Sequence, residues 1–106
     1  MDALITILPG DGIGPEVARS GKEILQLIAN KYNHNFKFEE KLIGGSAIDH
    51  CSSPLPQETI DACKDSNAVV LGAVGGPKWD NPNAKVRPEQ GLLGIRESLG
   101  VFANIR

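Results

Sequence analysis

The chain opens with a short apolar run that ends at a glycine turn and leads directly into a predicted helix. Residues 4–8 (LITIL) are apolar or β-branched, and residues 9–12 (PGDG) interrupt the run. This pattern is typical of a buried strand that enters a tight turn. Pro15 suits the first position of a helix, and Glu16 lies where the positive end of the helix dipole favours an acidic side chain. We therefore predict a buried strand followed at once by a helix.

The apolar residues of this helix recur at helical spacing and predict one face that packs against a core. They are Val17, Gly21, Ile24, Leu25 and Ile28. A polar stretch, residues 30–35, ends the helix. Residues 36–43 then mix phenylalanine, leucine and isoleucine with charged residues, which indicates a half-exposed second strand that runs up to residues 44–45.

The remainder of the chain continues the alternation of helix and strand. A short helix is predicted from near Pro56, residues 68–74 (AVVLGAV) predict the clearest buried strand, residues 89–96 a last helix, and residues 101–105 a further strand. Helices between successive strands predict parallel strands with right-handed crossovers, and hence an α/β layered fold. Residues 75–88 form a long loop, a feature that is often functional in compact domains.

The composition and charge of the chain limit the kinds of molecule that it is expected to bind. The 106 residues carry a formal net charge of -2 and are 41% hydrophobic, which suits one soluble globular domain. Because lysine and arginine are scattered, we expect no nucleic-acid or membrane partner, and without a leader or spanning segment we expect a cytoplasmic protein. Cys51 and Cys63 are predicted to be free thiols, and neither His34 nor His50 has a partner at metal-binding spacing. We therefore expect a protein that acts on a small molecule.

The glycine turn invites comparison with the G-x-G-x-x-G loop that binds the pyrophosphate of a dinucleotide. Gly10 and Gly12 fit, but Pro15 stands where the third glycine belongs, and Glu16 would bring a negative charge to a phosphate bound at the helix start. The acidic residue expected roughly 20 positions further on is also missing. We therefore favour a tight strand-to-helix turn in which Gly10, Gly12 and Gly14 adopt positive φ angles.

The last predicted helix carries an unusual face. Glu89, Leu92, Leu93 and Arg96 stand at i, i+3, i+4 and i+7, so a helix places them side by side. An acid with a branched aliphatic side chain needs both apolar contact and a guanidinium that forks onto its carboxylate, and Arg106 offers a second fork. The alternative, favoured by the spacing alone, is that the leucines belong to the core while the charged ends reach solvent.

Six segments of the chain carry a family resemblance. They are LPGDGIGPEV (8–17), GGSAID (44–49), PLPQET (54–59), LGAVGGPKWD (71–80), RPEQGLLGIR (87–96) and FANIR (102–106). In this order they resemble the signatures of the 3-isopropylmalate dehydrogenases, within the isocitrate/isopropylmalate β-decarboxylating dehydrogenase family. GDGIGP is shared with isocitrate, homoisocitrate and tartrate dehydrogenases, whereas GGPKWD together with E-x-x-L-L-x-x-R is specific to the isopropylmalate branch.

The resemblance implies a three-layer α/β fold, of which residues 1–106 are the N-terminal portion of the first domain. It implies NAD-dependent oxidation of 3-isopropylmalate and release of CO2, assisted by Mg²⁺ or Mn²⁺, by a homodimeric enzyme of leucine biosynthesis. Arg96 and Arg106 would bind substrate carboxylates, and Glu89, Leu92 and Leu93 would line the isopropyl pocket. The nicotinamide end of NAD would be bordered by Ile13, Gly76, Pro77, Lys78, Trp79, Asp80 and Glu89.

By the same resemblance, the catalytic Tyr and Lys, the remaining substrate-binding Arg and the metal-binding aspartates lie beyond residue 106. No residue of this chain is therefore predicted to be catalytic or metal-binding, and Tyr32 lies in the wrong segment to act. Two alternatives stay open: a catalytically inactive fragment, and a related dehydrogenase for isocitrate or tartrate. The latter would call for Ser or Asn in place of Leu92 and Leu93.

Overall fold

A computed structural model describes the whole chain, residues 1–106, as a parallel sheet covered by helices. The strands are β1 (Asp2–Gly10), β2 (Asn35–Glu40) and β3 (Ala68–Ala73), in the order β2-β1-β3. The helices are α1 (Gly14–Lys31), α2 (Gly45–Cys51), α3 (Gln57–Asp65) and α4 (Pro88–Leu99), with one turn of 3-10 helix at Pro77–Trp79. Both strand pairs are parallel. The predicted α/β class is confirmed.

The side chains of β1 alternate between the two faces of the sheet, as strand geometry requires, and each face has its own core. One core contains Ile5, Ile7 and Ala18 of α1. The other contains Leu8, Ile43, Cys63 of α3 and Ile95 of α4. Helix α1 therefore covers one face of the sheet, while α3 and α4 cover the opposite face. The result is three layers.

Helix α1 buries a different face from the one that its apolar spacing predicts. Val17, Ile24 and Ile28 are 49%, 61% and 42% exposed. The buried positions are Gly14, Ala18 and Ala29. At about 100° per residue, the buried row is rotated by roughly 70° from the predicted row. The prediction is correct for Leu25, which packs against the core formed by Ile5, Ile7 and Ala18, and wrong for Val17, Ile24 and Ile28. This helix is apolar on two adjacent faces, and contact with the sheet selects the one that carries small side chains.

The second strand is shorter than predicted, and a helix that was not predicted follows it. Strand β2 ends at Glu40, and Ile43 is fully buried in the turn beyond it. Helix α2 then occupies Gly45–Cys51. Its seven residues contain too little apolar periodicity to indicate a helix. The two glycines at its start also disfavour a helix prediction from the sequence, although glycine is tolerated at a helix terminus.

Strand β3 is present where predicted, but it is not the most buried strand. It lies at one side of the sheet and its residues are half-buried or exposed, whereas residues 5–8 of the central β1 are all buried. Residues 101–106 have no regular structure, so the strand predicted at residues 101–105 is wrong. An extended segment becomes a strand only where a neighbour supplies its hydrogen bonds, and these residues pair with none of the three strands.

Cys51 is exposed, Cys63 is buried, and both are free thiols, as predicted. Burial raises the pKa of the Cys63 thiol. No helix combines the length with the apolar character that crossing a bilayer demands.

Candidate functional site

The carboxyl ends of β1 and β3 lie side by side at the point where the chain switches from one side of β1 to the other. The chain passes from β1 to β2 on one side and then returns past β1 to β3 on the other. In open parallel sheets, such a reversal creates a crevice in which ligands bind. Gly10 at the end of β1 pairs with Ala73 at the end of β3, so the segments that follow the two strands lie beside each other. This crevice is the candidate functional site.

The turn after β1 has no room for side chains on its inner side. A Cβ atom at Gly10 would collide with the Ala73 carbonyl, and Gly10 has a φ of +76°. At Gly14, the first residue of α1, a Cβ atom would collide with the Pro9 carbonyl oxygen and lie 2.8 Å from the Ala73 nitrogen. Close backbone packing therefore accounts for these glycines, in agreement with the predicted tight turn. The positive φ predicted for Gly14, however, is found only at Gly10 and Gly12.

Asp11 lies inside this turn as a buried carboxylate, with 9% of its surface exposed. Its Oδ2 accepts the backbone N–H groups of Gly45 (2.6 Å) and Gly75 (2.9 Å), and its Oδ1 accepts that of Ser46 (2.6 Å). Hydrogen bonds of this kind compensate a charge that is removed from water. Sequence reasoning missed this role, because no local pattern reveals that donors 34 and 64 positions away converge on one side chain.

The loop after β3 packs against α2. Trp79 lies so close to Gly45 that a Cβ atom there would collide with the indole ring. Lys78 Nζ lies 3.0 Å and 3.1 Å from the two carboxylate oxygens of Asp49 on α2, and 4.9 Å from the centroid of the Trp79 ring. The side chains of Lys78 and Trp79 therefore hold the loop on α2.

The other residues predicted to border a cofactor are more open. Ile13 is 64% exposed, and Pro77 and Asp80 are exposed. No atom lies within 4 Å of a Cβ atom built at Gly76. Glu89, at the start of α4, is exposed, and its Oε1 lies 3.1 Å from the Cβ position of Gly75, so α4 begins beside the base of the loop.

Helix α4 presents its predicted face to solvent. Leu93 is 63% exposed, Leu92 is half-buried, and Ile95 is the large apolar residue that α4 buries. Leu93 is therefore not a core residue in this structure. Arg96 is exposed and forms none of the ion pairs or side-chain hydrogen bonds of the structure; the two salt bridges join other residues. An apolar side chain and an unpaired guanidinium are thus exposed about one turn apart.

The structure brings the predicted site residues together only in part. Ile13, Gly76 and Glu89 lie around the crevice, and Arg96 lies two turns along α4 from Glu89, roughly 10 Å at the rise of an α-helix. Arg106 is exposed in the segment without regular structure, and the residue before it, Ile105, lines a groove together with Arg96. The pairing of the two arginines on one substrate stays a prediction.

No three His, Cys, Asp or Glu side chains come close enough together to hold a metal ion.

Lys41 donates to Glu58 at 2.8 Å, and this hydrogen bond raises the pKa of Lys41 and lowers that of Glu58. This ion pair joins the turn after β2 to α3 and includes none of the predicted site residues. What the site residues offer is binding contact: open backbone, an exposed leucine and a free guanidinium.

Comparison with known proteins gives concordant results for sequence and fold. The family model described as isocitrate/isopropylmalate dehydrogenase matches residues 4–106. The chain is 58% identical over 106 residues to a 3-isopropylmalate dehydrogenase of Oceanobacillus iheyensis, and 56% identical over the same length to that of Bacillus subtilis. All of this chain is covered in both cases, but it spans only 29% of the length of each relative.

Two solved structures share the fold. A β-decarboxylating dehydrogenase of Thermococcus kodakarensis, in its apo form, superposes with a TM-score of 0.68 at 29% identity, covering 92% of this chain and 26% of that one. An isocitrate dehydrogenase of Methylococcus capsulatus also superposes with a TM-score of 0.68, over the same shares of the two chains, but at 21% identity. The latter likeness concerns the fold alone.

Proposed function

The chain belongs to the isocitrate/isopropylmalate dehydrogenase family, and from this premise we propose that it is the N-terminal portion of the first domain of a NAD-dependent 3-isopropylmalate dehydrogenase. The complete protein would oxidise 3-isopropylmalate and release CO2 in leucine biosynthesis. It would act as a homodimer in the cytoplasm, without nucleic acid or a membrane as partner. Relatives with that enzyme name, 56–58% identical over 106 residues, support this branch of the family.

The observation that carries the proposal is the exposed face of α4. Leu93, 63% exposed, stands about one turn from the unpaired guanidinium of Arg96. Removing apolar surface from water is favourable by about 25 cal/mol per Å². A ligand that covers this exposed leucine is therefore favoured. An isopropyl group matches Leu93 and the half-buried Leu92, while a carboxylate of the same ligand accepts two parallel N–H groups from Arg96.

Two further residues belong to the proposed substrate contacts. Glu89 borders the same face at the end nearer the crevice, where its carboxylate keeps the pocket polar on the side of the cofactor. Arg106 would fork onto a second carboxylate of the substrate bound beside α4. A groove lined by Arg96 and residues 101–105 already lies between this segment and the helix.

The crevice at the ends of β1 and β3 is the proposed site for the nicotinamide end of NAD, which supplies the hydride acceptor for the C2 hydroxyl carbon when bound. Its residues fit a flat ring. Gly76 leaves open space above its backbone, and the exposed side chain of Ile13 offers an apolar surface. Pro77, Lys78, Trp79 and Asp80 continue the border, and Glu89 closes it at α4.

A divalent metal is part of the family's expected chemistry, but the residues of this chain do not fit one. No three potential ligands converge. We therefore propose that the Mg²⁺ or Mn²⁺ ligands belong to the remainder of the enzyme.

The test of the proposed function uses the full-length protein. With NAD and Mg²⁺, we expect NADH formation from 3-isopropylmalate, and much slower formation from isocitrate or tartrate, because neither offers an apolar branch to Leu92 and Leu93. Efficient turnover of isocitrate or tartrate instead would replace this proposal by the sister activity.

The 106-residue chain by itself is expected neither to form NADH nor to bind NAD with micromolar affinity. It provides one border of a cofactor site, and it leaves apolar residues of α1 such as Ile24 exposed, so we expect it to associate. Calorimetric titration with NAD, together with light scattering, checks both expectations. Saturable micromolar binding by a monomer would show instead that the segment is a binding module in its own right.

We predict that Leu93 recognises the isopropyl group of the substrate by apolar contact. In the full-length protein, Leu93→Ala should reduce the discrimination between 3-isopropylmalate and malate by about 1–3 kcal/mol, the value of removing apolar contact from a pocket. The measurement is the ratio of kcat/KM for the two substrates. Leu27→Ala, which truncates a leucine of α1 that is 67% exposed, is the matched control and should leave the ratio unchanged. Equal losses for both substrates would contradict the assignment.

A further inference from the structure

The carboxylate of Asp11 ties together three segments that are distant in the sequence. Gly45 and Ser46 begin α2, and Gly75 begins the loop after β3; all three donate backbone N–H groups to it, at 2.6 Å, 2.6 Å and 2.9 Å. Both oxygens are used. A carboxylate with three such donors is held in one orientation, and each donor is held in turn.

Asp11 is itself fixed by its own backbone. Its N–H donates to the Ala73 carbonyl at 2.7 Å, and its carbonyl accepts from Gly14 N–H at 2.8 Å. A Cβ atom at Gly44 would lie 2.7 Å from Oδ2, so the carboxylate is also closely packed. The side chain therefore cannot shift without moving the end of β3 or the start of α1.

The loop that borders the crevice depends on the segments that Asp11 holds. Its base is Gly75, which has a φ of +94° and accommodates Glu89 at 3.1 Å from its Cβ position. Its tip packs Trp79 against Gly45, the neighbour of Ser46 in α2. One carboxylate thus sets both the start of the loop and the surface on which its tip lies.

We propose that Asp11 is a positioning residue that holds the segment from Gly75 to Trp79 over the crevice, and thereby sets the place of the nicotinamide end of NAD. Asp11 acts through this loop and does not touch the cofactor. The proposal rests on the proposed function, because it assumes that this crevice receives NAD.

The kinetic test compares Asp11→Asn and Asp11→Ala in the full-length protein. The alanine variant loses both acceptor oxygens and with them all three hydrogen bonds. KM for NAD should therefore rise roughly tenfold to hundredfold, the factor expected from losing a hydrogen bond to a charged group. The asparagine variant keeps Gly45 and Gly75 on its amide oxygen but turns its NH2 group against the Ser46 N–H, so its rise should be smaller. In both variants, KM for 3-isopropylmalate should change less than twofold, which corresponds to a negligible change in binding free energy.

Asp65→Asn, at an exposed aspartate that ends α3, is the matched control and should leave both KM values unchanged. A purely structural role for Asp11 would lower the melting temperature and the fraction of active enzyme without separating the two KM values. That outcome overturns the proposal.

Hydrogen exchange supplies a readout that does not require activity. In the wild-type protein, the amides of Gly45, Ser46 and Gly75 should exchange as slowly as those of the β1–β3 ladder, and Asp11→Asn should accelerate Ser46 selectively. Trp79 should also become more accessible to iodide quenching in Asp11→Ala. Rapid exchange at Gly75 in the wild type would overturn the positioning role. If the wild type forms no NADH from 3-isopropylmalate but shows this protection, the proposed function fails while the role of Asp11 in holding the loop stands.

Discussion

Replacing Arg96 by Ala in the full-length protein is expected to lower kcat/KM for 3-isopropylmalate by roughly a hundredfold to a thousandfold. Removing one partner of a hydrogen-bonded charge pair costs about 2–5 kcal/mol when the other charge stays in the site. Arg96 is free to form such a pair, because it engages no carboxylate of its own chain. Steady-state kinetics of NADH formation measure the effect.

The Lys variant at the same position separates charge from geometry. Arg96→Lys keeps the positive charge but loses the planar fork, so its kcat/KM should lie between those of the wild type and the Ala variant. Arg19→Ala removes an exposed arginine from α1 and is the control for general loss of charge. Near wild-type kinetics in Arg96→Ala would identify Arg96 as a solvated surface charge. Arg106→Lys should also lower kcat/KM, and this role of Arg106 stays a prediction.

Replacing Gly10 by Ala is expected to destabilise the protein by at least about 3 kcal/mol, which combines the strain of a left-handed backbone with overpacking. Gly10 has a φ of +76°, and the added Cβ atom would collide with the Ala73 carbonyl. The colliding group is backbone of the neighbouring strand, so relief requires separation of β1 from β3 at the crevice. Thermal unfolding followed by circular dichroism measures the loss.

Gly21→Ala is the matched control for Gly10→Ala. Gly21 lies within α1, and no atom lies within 4 Å of a Cβ atom built there. Alanine is favoured over glycine inside a helix by about 0.5–1 kcal/mol, so this variant should melt at the same or a higher temperature. An equal loss of stability in both variants would show that the collision at Gly10 is not the cause.

Much of the proposed binding face on α4 follows from local spacing. Glu89, Leu92, Leu93 and Arg96 share a face because a helix brings i, i+3, i+4 and i+7 together. The spacing did not establish whether Leu93 belonged to the core, because a leucine at that position satisfies both patterns. Its exposure follows from the packing of α4 through Ile95, Gly91 and Pro88 instead.

The sequence by itself determined the elements whose causes are local: the strand before the glycine turn, the helix that starts with Pro15 and the helix after Pro56. Their alternation also predicted that the strands run parallel. Apolar runs, proline at helix starts and alternation of elements act within a few residues. Only the tertiary structure decided which face of α1 is buried, that α2 exists and that residues 101–105 form no strand. It also revealed Asp11 as the junction of the site. Each of these depends on partners that lie tens of residues away, such as Gly75 for Asp11, and local periodicity contains no information about them.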